Sequence, residues 1–418
     1  MKATLCAQGT AQAPIHADMA QARIRIDDRG DRVRNGHPWV FATQVIKEDG
    51  AFEPGDVVQV QDAKGFPLGQ GYINPASMIR VRMLTHHDGD RVSRAFIRQR
   101  VQAAWKRRIS LGYSGSCRAV FSEADHLPGL VVDLFHDARD GRRVLSVQFL
   151  TLGMERWRDA VLEALQECIG PDGIYLRNDV PIREKEGLPL EKGFSGKAFD
   201  PKLVIEEGEG AQAVRVHVDV AGGQKTGHFL DQVRNHVDAQ RFLSGRRVLD
   251  CFTHTGGFGL HAAKAGATEV LGLDISADAV ALAARNAELN GFAQSVFREA
   301  NVFDFLTDAS RAGKRWDAIV LDPPAFAKSK SALENAYRGY KEINLRALKC
   351  LTSGGRLITC SCSQHMVPEL FRQMLADAAR DAGRSLRELH EGGQPPDHAP
   401  LWGVPETRYL KCLVLEAD

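Results

Sequence analysis

The run Arg247-Val-Leu-Asp-Cys-Phe252 has the length and apolarity of a buried strand; it breaks into Thr253-His-Thr-Gly-Gly257 and then into a helical pattern, Phe258-Gly-Leu-His-Ala-Ala-Lys-Ala265. A strand that becomes a helix through adjacent glycines restricts this part of the chain to a βα unit whose backbone at the turn lies open to close approach. Downstream the pattern alternates: strand 247–252, helix 257–265, strand 269–273, helix 277–289, strands 295–299 and 317–321, helix 333–351, strand 355–361, helix 367–382. That alternation predicts a doubly wound parallel sheet. Two further strands, 386–390 and 408–415, are split by a Gly/Pro-rich loop instead of a helix, which predicts an antiparallel pair closing the sheet edge.

Upstream the period changes. Residues 22–86 alternate apolar and polar positions in short bursts between Gly, Pro and Asn turns, the pattern of a small β-barrel or sandwich. Arg23, Arg25, Arg80 and Arg82 share these strands with Ile24, Ile26, Ile79 and Val81, so one face can form the core while the other meets solvent or phosphate. Residues 90–110 read as a basic helix with Phe96, Ile97, Val101 and Trp105 as its apolar stripe. Between 117 and 200, strands at 130–134, 144–148 and 173–177 and a helix at 155–167 predict a small α+β module, with 184–201 as an exposed connection. Three domains follow: 22–86, 90–200 and 206–418.

Composition narrows the partners. The net charge of +1 hides an asymmetry: residues 22–110 hold 16 Lys/Arg against 10 Asp/Glu, and residues 111–418 hold 37 against 42, so a polyanion prefers the N-terminal part. Eight scattered cysteines lack zinc-ribbon spacing and argue against a disulfide framework or a metal site. No apolar run is long enough for a membrane span, and the first 20 residues are polar and small where a signal peptide needs an apolar stretch. The expectation is a soluble, cytoplasmic protein with no metal and no membrane partner.

In a parallel sheet, ligands sit beyond the carboxyl ends of the strands, which directs attention to Asp250 with Thr255, Gly256 and Gly257, to Asp274, to Asn301, to Asp322-Pro-Pro-Ala-Phe326 and to Ser361-Cys-Ser363. Asp274 stands where an acid accepts bonds from ribose hydroxyls, although a strand-end Asp also caps a following helix; Asn301 either bonds an adenine amino group or caps its own helix. Asp322, held by two prolines, can present a carboxylate to a planar amine or amide, or simply end a strand. Phe258 and Phe326 can stack on a base or pack in the core. Cys362 is either a nucleophile or a buried small hydrophobe; carbon methylation at pyrimidine C5 requires a nucleophile at C6, whereas methylation of an exposed nitrogen does not. The segment Gly222-Gly-Gln-Lys-Thr-Gly-His-Phe-Leu-Asp-Gln-Val-Arg234 reads either as a polar loop over a ligand or as a plain linker, continuing into a helix up to Phe242.

Taken in order, Phe121-Ser-Glu-Ala-Asp-His-Leu-Pro-Gly-Leu-Val-Val-Asp133, Gln224-Lys-Thr-Gly-His-Phe-Leu-Asp-Gln232, Phe252-Thr-His-Thr-Gly-Gly-Phe258, Asp322-Pro-Pro-Ala-Phe326 and Ser361-Cys-Ser363 resemble the bacterial 23S ribosomal RNA cytosine-5 methyltransferases. The resemblance covers residues from about 22 to 418. It implies an α/β fold in which a small β-barrel PUA-like domain and a small α+β ("EEHEAD") domain precede a Rossmann-like class I methyltransferase domain, a seven-stranded sheet with an antiparallel C-terminal strand. It implies S-adenosylmethionine held by Gln224, Thr226, Asp250, Thr255, Gly256, Gly257, Asp274, Asn301 and Asp322. Catalysis would fall to Cys362, attacking cytosine C6, and Asp322; ribosomal RNA would be the partner, with a homodimer among the oligomeric options. The motif after the fourth strand is Asp-Pro-Pro-Ala-Phe, without the second cysteine of other RNA cytosine-5 methyltransferases, so the base that removes the C5 proton is unnamed. Rival readings are a guanine-N methyltransferase of ribosomal RNA, a nicotinamide oxidoreductase and a non-catalytic RNA-binding protein.

Overall fold

A computed structural model describes residues 22–27, 31–327 and 330–418. The first 20 residues, read above for a signal peptide, lie outside the described residues, as does Cys6. No helix among the described residues is long and apolar enough to cross a membrane.

Residues 22–86 form a six-stranded sheet in the order 39–41, 79–85, 67–73, 57–61, 23–26, 45–49, closed on Ile24, Ile26, Val40, Val58, Val60, Ile73 and Val81. Its alternation predicts one inward and one outward face, but Arg82 departs from that pattern. It is buried between Glu123 at 3.2 Å and Glu186 at 3.4 Å, which tie the barrel to the central module. Phosphate contact through Arg82 is therefore corrected: its guanidinium neutralises the buried Glu186 and the part-buried Glu123.

The helix Arg94–Ser110 starts at Ser93, whose hydroxyl accepts from the Phe96 N–H. Phe96, Ile97 and Val101 face the core as expected, yet Arg108 is also fully buried, bonding the Asp125 carboxylate at 2.7 Å and the Asp397 carbonyl at 2.7 Å. Arg107 is paired with Asp125, and Arg94 and Arg98 with Glu163 and Glu167. Much of this helix's positive charge is thus neutralised internally.

The central sheet runs 191–195, 173–178, 143–149, 130–136, 117–121. Its edge strand Glu191–Ser195 pairs antiparallel with Gly173–Asn178, and just before it Arg183 is buried against Glu155. The expected exposed connection at 184–201 is exposed over most of its length, but Glu191–Ser195 within it is an ordered sheet edge, and Glu186 is buried against Asn74 and Arg82. The expected single helix at 155–167 is split into Leu152–Arg156 and Arg158–Cys168 at Trp157.

The C-terminal sheet has seven strands in the order 295–299, 269–274, 247–251, 316–321, 351–361, 411–417, 386–393. The first five are parallel, and Lys411–Ala417 is antiparallel to both neighbours, as the missing helix between the last two strands predicts. One helix had no counterpart in the pattern: Val302–Arg311, whose short stripe of Val302, Leu306 and Ala309 packs against the sheet. The order places the turn after Arg247–Cys251 and the loop after Trp316–Leu321 side by side at the carboxyl edge, where strand order reverses and such sheets bind ligands.

Candidate active site at the carboxyl edge of the sheet

The strand Arg247–Cys251 leaves the sheet through a contorted backbone: Phe252, His254 and Gly256 have φ of +61°, +49° and +96°. Non-glycine residues in this region are uncommon, and strain of this kind gathers where the backbone serves a ligand. Asp250 holds the turn from beneath, its carboxylate accepting from the Thr253 hydroxyl at 2.6 Å and the Gly259 N–H at 2.9 Å. It is buried, and burial pushes its pKa up to about 7. Asp250 thus faces into the turn and shapes Thr255, Gly256 and Gly257 from behind.

Asp274, at the end of the next strand, accepts from the His254 N–H at 2.9 Å and the Ser276 N–H at 3.0 Å, one on each oxygen. The capping reading is what the structure shows, and each carboxylate oxygen keeps a further lone pair that a diol could use. Ile275 beside it is 72% exposed, an apolar surface next to an acceptor pair. Sequence reasoning missed it; the signal was an apolar side chain directly after a strand-end acid. Asn301 caps the helix Val302–Arg311, its Oδ1 accepting from the Phe303 N–H at 2.9 Å, which leaves its amide N–H groups to point elsewhere.

The strand Trp316–Leu321 ends at Asp322, whose Oδ2 accepts from the Gln232 amide at 3.0 Å. Burial raises its pKa to about 6, with Asp231 adding to the rise and His236 opposing it. Next to it the strand Leu351–Ser361 delivers Cys362, which is only part-buried. The flanking serines explain its placement: Ser361 donates to the Tyr340 hydroxyl at 3.1 Å, Ser363 shares a bond with the same hydroxyl at 2.9 Å, and the Ala327 N–H donates to Ser363 Oγ at 3.3 Å. Cys362 is thereby pinned to the Asp322-Pro-Pro loop. Burial and the Asp322 charge raise its thiol pKa, while Lys225 and Lys411 pull it back. Lys411, buried and donating to the carbonyls of Ser363 and Tyr409 at 2.7 Å each, falls to about 8 through burial.

Phe258 is buried in the core and cannot receive a base, whereas Phe326 packs on Tyr340 with ring centroids 4.6 Å apart and stays part-exposed. The polar loop reaches the same crevice. Thr226 is buried, its hydroxyl donating to Asp133 at 2.5 Å, so the central module's Leu-Val-Val-Asp motif anchors the loop while Gln224 stays exposed. Lys225, at φ +51°, lies over the Phe229 ring at 4.2 Å and bonds Asp231 at 2.9 Å. Asp231 also accepts from the Tyr409 hydroxyl at 2.7 Å. Lys225, Gln232 and Tyr409 were missed because their roles depend on contacts across 6 to 178 residues, which no local pattern carries.

A bare glycine turn at a helix N-terminus, an acid with spare acceptors on the next strand and an exposed apolar side chain beside it fit a nucleoside-containing cofactor. The comparisons agree. Residues 193–413 match the S-adenosylmethionine-dependent methyltransferase model and residues 27–86 a PUA-like domain model. Ribosomal RNA large subunit methyltransferase I of Tolumonas auensis is 39% identical over 396 residues, covering 93% of this chain and 98% of the relative. The Vibrio cholerae protein of the same name is 38% identical over 408 residues, covering 95% and 100%. An S-adenosylmethionine-dependent methyltransferase from Streptococcus mutans shares the fold, with a TM-score of 0.77 over 94% of this chain and 99% of that one at 19% identity. The chain belongs to the S-adenosylmethionine-dependent methyltransferases, in the branch that holds the ribosomal RNA large subunit methyltransferase I enzymes. Its cofactor is S-adenosylmethionine, which sets aside the nicotinamide reading.

Proposed function

We propose that this protein methylates C5 of a cytosine in 23S ribosomal RNA in the cytoplasm, through a transient covalent bond between Cys362 and cytosine C6. The observation that carries this reading is a part-exposed thiol at a parallel strand end, pinned beside a carboxylate whose pKa lies near neutrality. The names of the full-length relatives support ribosomal RNA as the substrate.

Bound S-adenosylmethionine supplies an electrophilic methyl group. Gln224 on the loop that Thr226 anchors to Asp133, Thr255 to Gly257 on the turn, and Asp274 and Asn301 at the neighbouring strand ends would hold it, with Asp250 bracing the turn. Residues 22–86 and the exposed Lys106 of the helix Arg94–Ser110 hold the RNA backbone, and the module within 90–200 buttresses the loop through Asp133. The target base leaves its stack at a cost of a few kcal/mol. Asp322 accepts from the cytosine N4 amine; Cys362 loses its proton, and its sulfur forms a bond to C6, which makes C5 electron-rich. C5 takes the methyl group, a base removes the C5 proton, and the S–C6 bond breaks to restore the ring and the thiolate. The raised thiol pKa means that the resting group is the neutral thiol, so Lys225 and Lys411 supply the positive charge that favours its ionisation once a base fills the crevice.

Incubation with labelled S-adenosylmethionine and protein-free 23S RNA, followed by nucleoside mass spectrometry, tests the assignment. The expected product is 5-methylcytidine. A methylated guanosine would replace carbon chemistry with nitrogen methylation and leave Cys362 without a catalytic role.

A further inference from the structure

Beneath the crevice, four segments meet around one buried carboxylate. Glu207, at the end of the strand Lys202–Glu207, is bonded by His228 of the polar loop, by His236 of the helix Val233–Leu243 at 2.7 Å, and by His261 of the helix Gly257–Lys264 at 3.0 Å. All four side chains are buried, and the relevant atoms of Glu207, His236 and His261 lie within 4.8 Å of one another, close enough for a metal site.

The hydrogen bonds point away from a metal. The Gln240 amide nitrogen donates both to the Gln212 carbonyl at 3.0 Å and to His261 Nδ1 at 2.7 Å. His261 Nδ1 is therefore an acceptor, its proton is on Nε2, and that proton is directed at Glu207. A ligating nitrogen must be free of its proton. Turning the Gln240 amide over would set two oxygens against each other at Gln212.

Resting on the cofactor site assigned above, we infer that Glu207 is a positioning residue that joins the polar loop to the glycine turn through buried His236. The geometry shows how. His228 lies two residues after Thr226, so its bond fixes the loop. His236 abuts the turn so tightly that a Cβ on Gly257 would lie 2.4 Å from its ring. His261, two residues past Gly259, secures the helix that the turn opens. One carboxylate thus locks both walls of the cofactor crevice to each other.

A pH signature follows. The titratable groups facing His236 are Glu207, His228, His254 and His261, with Asp250 and Asp322 across the sheet edge. Burial pulls the His236 pKa down, but the Glu207 charge and hydrogen bond outweigh it and hold the value above 6.5. A raised histidine pKa means that the pair is fully formed below 6.5 and is lost as pH climbs through the folded-state value. Asp322 acts in the opposite sense, ionising as pH rises through about 6.

The test is calorimetric titration of the full-length protein with S-adenosylmethionine from about pH 5.5 to about pH 9. In wild type, affinity should fall on the alkaline side. Glu207→Gln, which cannot accept three bonds or hold His236 charged, should bind about tenfold more weakly near pH 6 and lose affinity at a lower pH, with KM for the cofactor rising more than kcat falls. His228→Asn, which cuts only the loop link, should weaken binding with the alkaline midpoint unchanged; it also serves if Glu207→Gln fails to fold. Unchanged affinity and pH dependence in both variants would overturn the inference. So would stoichiometric zinc in the purified protein whose chelation lowers affinity. The calorimetric readouts need neither RNA nor Cys362, so failure of the cytosine reading is recorded separately.

Discussion

Replacing Asp322 by Asn should make the protein more stable and less active, and the size of the gain should depend on pH. The carboxyl is raised from 3.8 to about 6 by burial against the opposing pull of His236. Below pH 3.8 it is protonated in both folded and unfolded chains and contributes no difference. As pH rises through that value the unfolded chain ionises first, and the folded state loses stability until pH passes about 6. A shift of roughly two units at 1.36 kcal/mol each gives about 3 kcal/mol as an upper bound at pH 8, and about half of that once the group's partial exposure is counted. Asn keeps the oxygen that Gln232 bonds but carries no charge. Thermal melts of the cofactor-free variant should lie within about 1 °C of wild type at pH 4 and several degrees above it at pH 8. Turnover should fall by at least tenfold. A melting difference constant from pH 4 to pH 8 would refute the claim that Asp322 is held ionised at a cost to the fold.

Other perturbations act elsewhere. Arg108→Met removes a buried cation that bonds Asp125 and the Asp397 carbonyl, and should cost about 3–5 kcal/mol, read as a lower urea midpoint. Gly256→Ala forces a side chain onto a residue at φ +96°, with its Cβ 3.1 Å from Leu260 and 3.3 Å from Phe297; about 1–2 kcal/mol of strain should weaken cofactor binding in calorimetry. Tyr340→Phe deletes the hydroxyl shared by Ser361 and Ser363 and should lower kcat about tenfold while leaving cofactor affinity within about twofold.

The parallel sheet was legible because its strands are uniform apolar runs punctuated by glycine and proline, as at Arg247–Cys251 and Trp316–Leu321. The helix Val302–Arg311 was not: ten residues give too few turns for a 3.6-residue period to stand out. Arg82 read as facing solvent or phosphate because burial of an arginine is decided by partners far away in sequence, here Glu123 and Glu186, and the buried Arg108 and Arg183 likewise depend on Asp397 and Glu155, which no local pattern reveals. Strand ends led to Asp274, Asp322 and Cys362, since topology alone brings those positions to one edge. The same logic could not separate a carboxylate that faces the crevice from one that braces it, as Asp250 does. Nor could it find Glu207 and its histidines, which lie on four elements and share no spacing.

The most direct test of the covalent reading is Cys362→Ala assayed beside wild type, with cofactor affinity and 5-methylcytidine formation measured on the same preparations. Cofactor affinity should stay within about twofold, because the thiol lies beyond the turn that holds the cofactor, and product should vanish. Product formation at the wild-type rate by the alanine variant would contradict it.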